Sequence, residues 1–203
     1  MSYLTEEGEN QEKMKTELEQ KEILQQKHYF LLNELQNMAR ELPQKYQQRL
    51  PYELLSSLAH ALLDGTVFQI VQDLKEIQYI TERQLFERRM KTININKTLR
   101  QEVLKKHKEA LSQINLPNIA AIQAKQEKEI EELDKWQDED ETKTNMKIIL
   151  ELDQTVSDQQ VTLEKAGVPG FFVTNNPNEI RLQMYLLEFI IRIGSSEAFM
   201  SNN

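Results

Sequence analysis

Three histidines, His28, His60 and His107, are the only imidazoles in a chain of 203 residues that contains no cysteine. They are the first place to look for metal ligation or acid–base work, because imidazole binds metals and titrates near neutrality. Their spacing supplies neither: there is no HExxH pair and no close histidine–carboxylate cluster. Without thiols there is no thiolate nucleophile, cysteine zinc site or disulfide. His28 and His107 fall instead on helical packing seams, where a polar residue restricts register. Nucleophile elbows of the GxSxG kind, phosphate loops of the GxxxxGK[ST] kind and dinucleotide glycine fingerprints are all missing. Carboxylates are plentiful, but a raised-pKa acid needs an enclosed apolar pocket, which long thin helices do not build. The expectation is a non-enzymatic chain with no cofactor, no metal and no small-molecule substrate.

Charge gives a second chemical possibility. Between Arg83 and Lys108 there are nine basic residues against two acidic ones; between Lys125 and Glu141 there are nine acidic against three basic. Arg83, Arg88, Arg89, Lys91, Lys97 and Arg100 are the residues that would grip phosphates if this stretch bound nucleic acid. Folding the chain back at NLPN, residues 115–118, places positions near 101–106 opposite those near 127–132. The acidic segment then neutralises the basic one and repels phosphate, and the formal charge of −8 offers no bulk attraction. Nucleic-acid binding is therefore the alternative, and an antiparallel helical hairpin the leading reading.

The elements that carry these charges are helices. Pro43 stops a helix over about 11–42, whose seam Leu24, His28, Leu31, Leu35, Met38, Leu42 alternates steps of four and three. Pro51 opens a short apolar segment that ends at Gly65, and Thr66 and Gln69 have the spacing of a capping box. From there to about 114 the sequence contains neither glycine nor proline, enough for roughly 70 Å of helix. Its seam runs Phe86, Met90, Ile93, Lys97, Arg100, Leu104, His107, Leu111, Ile114. Another helix spans about 119–166, with a kink or fraying expected in its highly charged part near 137–144. A last one, 177–193, is apolar on nearly every face, which fits either a core element or an interface.

Two of the five glycines and two of the five prolines cluster in KAGVPGFFVTNNPNEI, residues 165–180. Gly167 suits the left-handed residue after a helix, Asn176 suits a cap, and Pro177 and Glu179 suit the first and third helical positions. The stretch reads as a corner that docks the final helix.

Several segments taken together resemble one family. HYFLLNELQNMARELPQKYQQRL, LAHALLDGTVFQIVQDLKEIQ, NLPNIAAIQAKQEKE and KIILELDQTVSDQQVTLEKAGVPGFFVTNNPNEIRLQMYLLEFI are similar to the DiGeorge syndrome critical region protein six/gonadal protein (gdl) family across residues 28–193, nearer its insect-type gonadal branch. The resemblance implies a helical, non-enzymatic protein linked to animal development: neural-crest and pharyngeal morphogenesis in vertebrates, gonadal expression in insects. It also implies nuclear residence and a laminin-like coiled-coil relationship. It carries no catalytic or ligand-binding residue onto this chain.

The reading that results is all-α, with long antiparallel coiled-coil helices and shorter helices packed near their ends. It treats 11–193 as a single elongated helical domain between disordered tails at 1–10 and 194–203. The start, MSYLTEEGENQEKMKTE, has neither an apolar signal core nor an arginine-rich transit pattern, and no apolar run approaches membrane-spanning length. An intracellular protein, nuclear or cytoplasmic or both, is expected, acting as a scaffold through contacts with itself or another helical protein. Leu31, Leu35, Leu104, Leu111, Phe171, Leu186 and Phe189 are the candidate packing and interface residues.

Overall fold

The two longest stretches free of glycine and proline, 66–112 and 119–165, form the two 47-residue helices of the molecule. The computed structural model describes the backbone of residues 3–112 and 119–196, and the side chains of 16–112 and 119–196. In chain order the helices are α1 (Tyr3–Glu41), α2 (Gln44–Gln47), α3 (Tyr52–Ala61), α4 (Thr66–Ser112), α5 (Ile119–Lys165) and α6 (Pro177–Gly194). The fold is all-α, and no strand occurs among the described residues. No single helix there is long and apolar enough to cross a membrane; α3 and α4 pass only as a pair, bent by 89° at their break.

The boundaries follow local chemistry, with several departures from the sequence expectations. α1 already includes Tyr3 to Asn10, where a tail was expected. Pro51 is the residue before α3 rather than its first member. The capping box expected of Thr66 and Gln69 is not made. Asp64 Oδ1 accepts from the Thr66 amide at 2.9 Å, and Gln69 Nε2 donates forward to Asp73 at 2.7 Å. Aspartate two residues upstream is the better local acceptor for that amide. α5 runs without a break through 137–144, because the charged side chains there are mostly exposed and cost the helix little. The NLPN turn at 115–118, Ile114 and the tail residues 197–203 lie outside the described residues.

Contacts divide the chain into two units, a finer organisation than one domain over 11–193. Unit 1 comprises Met1–Lys75 and Ser157–Asn203; unit 2 comprises Glu76–Val156. Unit 1 holds the large core. Leu31, Leu35 and Met38 of α1 meet Leu55, Leu58 and Leu62 at α3, with Leu186, Phe189 and Ile190 of α6 closing the cluster. Each fully buried leucine of this kind contributes about 1.5–3 kcal/mol relative to exposure. α6 therefore serves as a core element on its buried face, while Met184 remains exposed.

The corner at 166–176 is built as a Schellman motif. The Val168 amide donates to Leu163 O at 3.0 Å and the Gly167 amide to Glu164 O at 2.9 Å. Gly167 has φ +71°, and Val168 and Leu163 are both buried, supplying the hydrophobic contact that accompanies the motif. Asn176 caps α6 by accepting from the Asn178 amide, with Pro177 next. Glu179 does not return to the cap; its carboxylate pairs with Arg49.

Candidate functional site

Unit 2 is an antiparallel pairing of α4 with α5. As the α4 partners advance through Arg88, Asn96, Arg100 and His107, their counterparts on α5 retreat through Glu151, Gln137, Asp134 and Glu129. This is the register that folding back at 115–118 implies. Arg100 binds Asp134 with two hydrogen bonds, 2.7 and 3.2 Å. That contact holds the Asp134 carboxyl below its ordinary range, chiefly through the hydrogen bond from Arg100, and raises the Arg100 guanidinium correspondingly. His107 Nε2 lies 3.0 Å from Glu129, and Gln126 Nε2 donates to the His107 carbonyl at 3.1 Å.

The buried seam of this hairpin is polar for its length. Leu85 is 3% exposed, but the next fully buried α4 side chain is Asn96, also 3%. Opposite it, Gln137 is buried and donates from Nε2 to the Asn96 carbonyl at 2.7 Å, leaving Asn96 Nδ2 without a partner. Thr92, Leu99 and Val103 complete the row on α4 at half-buried positions.

The apolar residues lie on another face. Phe86 is 61% exposed, Met90 36% and Leu104 40%, and Lys97 is exposed between them, whereas Ile93 and Arg100 are half-buried. The stripe expected to face the intrachain partner does so in part. Ile93, Arg100, His107 and Leu111 are half-buried, and Arg100 and His107 pair with α5. Phe86, Met90, Lys97 and Leu104 stay open, one residue on from Leu85, Asn96 and Val103. One residue is about 100° around a helix, so Phe86, Met90, Lys97 and Leu104 form an open flank beside the row that α5 covers. On α5, Met146, Ile149 and Leu150 are exposed near Asn145, which accepts from Arg89 at 3.1 Å. Phe86, Met90, Lys91, Asn94, Ile95 and Glu102 are among the residues that line a shallow open groove along α4.

The candidate interface residues thus separate. Leu31, Leu35, Phe171, Leu186 and Phe189 are enclosed in the core of unit 1, where they hold the unit together and present no surface to a partner. Leu104 lies open on unit 2, and Leu111 is half-buried there. The phosphate-gripping set is largely engaged with protein. Arg83 pairs with Glu87 at 3.1 Å, Arg88 with Glu151, Arg89 with Asn145 and Arg100 with Asp134; Lys91 and Lys97 stand exposed.

Two groupings were not visible in sequence. His28 and His60, on separate helices of unit 1, bring their rings to 6.3 Å, and His28 Nε2 lies 3.4 Å from Ser56 Oγ. A serine nucleophile needs its base oriented by a third group, yet His28 Nδ1 is buried without a partner. Among the described residues, no group of three potential metal ligands gathers. The second grouping is structural. Buried Gln160 and Gln183 bond at 3.0 Å; Gln160 accepts from the Thr174 amide at 3.1 Å, and Gln183 donates to Phe172 O at 2.9 Å. Together they pin the corner to α5 and α6. Their signal in sequence is only a glutamine on an otherwise apolar face, which does not name its partner.

Comparison with known proteins supports a single lineage. Protein DGCR6 of Gallus gallus is 48% identical over 174 residues, covering 86% of this chain and 87% of that protein. Gonadal protein gdl of Drosophila melanogaster is 42% identical over 172 residues, 85% of this chain and 82% of that protein. Of these two the vertebrate protein is the more similar. No solved structure matches the chain. The family described as DiGeorge syndrome critical region 6 (DGCR6) protein matches residues 4–202, and the chain belongs to it.

Proposed function

We propose that this protein is a non-enzymatic interaction protein that works by presenting a helical seam to another helical protein or to itself. The observation that carries this reading is the exposed stripe Phe86, Met90 and Leu104 beside a buried seam that is itself polar at Asn96 and Gln137. A hairpin of two helices that directs its larger apolar side chains outward leaves that area to be covered by association. The names of its relatives, one for a syndrome's critical region and one for the gonad, support a developmental setting. Residence in the nucleus, the cytoplasm or both goes with this reading. Coiled-coil geometry at the open seam is part of the same proposal.

The nucleic-acid alternative has less support, since Arg88, Arg89 and Arg100 are engaged across the hairpin with α5. The test is affinity capture with the full-length chain in native tissue, wild type against Phe86→Asp. At its exposure, Phe86 can be replaced without disturbing a core. Retention of a helical protein, further copies of the chain included, by the wild type and its loss in the variant is the expected result. Capture of identical proteins by both, or strong salt-sensitive retention of the isolated chain on DNA or RNA, would overturn the proposal.

A further inference from the structure

The open seam of α4 has a counterpart on α5 in this same chain. Starting from Asp138, steps of three and four along α5 give Asp134 and Glu131 in one direction and Thr142, Asn145 and Ile149 in the other, with Glu131, Asp138, Thr142 and Ile149 exposed. This row runs along the edge of the α5 face that meets α4, Asp134 and Asn145 reaching across to Arg100 and Arg89, just as Phe86, Met90 and Lys97 lie beside the α4 residues that face α5. Its composition runs acidic at 131–138 and ends on exposed Ile149, with exposed Leu150 beside it; the α4 row runs apolar at 86–93 and basic at 97–100. In the intrachain register, Met90 is level with Asn145, as the neighbouring Arg89 bond shows, and Lys97 is level with Asp138, beside Asn96 and Gln137.

We infer that the occupant of the open seam is the α5 of a second copy of this chain, so that two hairpins associate side by side as an antiparallel four-helix bundle. This rests on the proposed helix–helix function and names its partner and surface. A two-fold axis along the hairpin sets α4 of one copy antiparallel to α5 of the other in the register already used within the chain. Phe86 and Met90 then meet the partner copy's apolar end of α5, and Lys97 meets its Asp138. Among the described residues, neither Lys97 nor Asp138 is ion-paired within the chain. Each helix in such a bundle contacts two neighbours through two adjacent seams, and α4 has an open flank beside the row that α5 covers. Setting α4 on the α4 of a second copy would instead oppose the basic residues of 83–108 to one another, a like-charge juxtaposition that excludes that arrangement. Charge complementarity therefore selects both the partner and the pairing.

The test uses the full chain with Lys97→Glu and Asp138→Lys, both at exposed sites, and reads mass in solution by sedimentation equilibrium. Wild type is expected at twice the 24.0 kDa of one chain. Each single reversal is expected to weaken the dimer by more than about tenfold. Mixing the two single variants restores a mixed dimer. The glutamate introduced in one copy then faces the lysine introduced in the other, and the native Lys97 faces the native Asp138 across the second contact. A dimer indifferent to both reversals, or variants that stay monomeric on mixing, would overturn this pairing while leaving self-association through another face intact. A wild-type chain that is monomeric overturns the second-copy occupant. The broader helix–helix reading then stands or falls on the capture experiment with Phe86→Asp.

Discussion

Gly170 has φ +89°, and a Cβ placed on it would come within 2.7 Å of Leu186 Cδ1, a fully buried side chain of α6. Gly167, three residues earlier, also has positive φ, but a Cβ there meets nothing within 4 Å. The pair separates two costs that usually arrive together. Gly167→Ala incurs only the left-handed backbone penalty of about 1–2 kcal/mol. Gly170→Ala incurs that penalty and also displaces Leu186 from a packed core, adding about 1–3 kcal/mol. Denaturant unfolding of the two variants should show the larger loss for Gly170→Ala; equal losses would mean that Leu186 yields freely. The helix-ending role of Gly167 is legible in sequence because its cause is local: lysine and alanine before it, valine after it. The role of Gly170 is not, since Leu186 is brought to it by the packing of α6. Gln160 and Gln183 are hidden for the same reason.

At the scale of the helix, the same limit explains why half of the described members of the expected α4 seam lie outside the row that α5 covers. Phe86, Met90 and Leu104 make a stronger apolar row than Leu85, Thr92, Asn96 and Val103, so periodicity favours the row that the hairpin leaves open. The partner and register of α4 are nonetheless legible in its charges, because opposite blocks of like spacing pair in only one direction. What chooses the buried row is the fit of α5, including the Gln137 bond to the Asn96 backbone carbonyl. That bond does not use the Asn96 side chain, whose Nδ2 is buried and unpaired. Asn96→Leu should therefore stabilise the protein by about 1 kcal/mol, removing an unsatisfied donor while keeping the Gln137 contact. Thermal unfolding is the check, and a destabilised variant would mean that the seam at 96 cannot accept an apolar side chain. A buried polar residue in such a seam limits the registers a helix pair can adopt, so the gain in stability would come with looser pairing of α4 and α5.

Across the whole molecule, the two units rest on different physics. Unit 1 encloses a continuous apolar cluster drawn from α1, α3 and α6, together with the ends of α4 and α5 nearest it. Unit 2 has a two-helix seam interrupted by Asn96 and Gln137, and its ion pairs are solvent-facing, of the kind that contribute little individually. Local opening costs least where apolar contacts are few and backbone hydrogen bonds lie near solvent. Backbone amides in 92–107 and 130–148 should therefore exchange with deuterium faster than those in 31–39 and 182–190. A second copy on the open seam of unit 2 changes this in a defined way, because association stabilises the folded hairpin by mass action. Raising the protein concentration through the dimer range should slow exchange in 92–107 and 130–148 while leaving 31–39 and 182–190 unaltered. The Lys97→Glu variant should lose that concentration dependence and keep the protection of unit 1. Equal protection of both units at every concentration would contradict the division of stability argued from their cores. Slowing confined to unit 1 would place the association surface on the exposed faces of α1 or α6 instead.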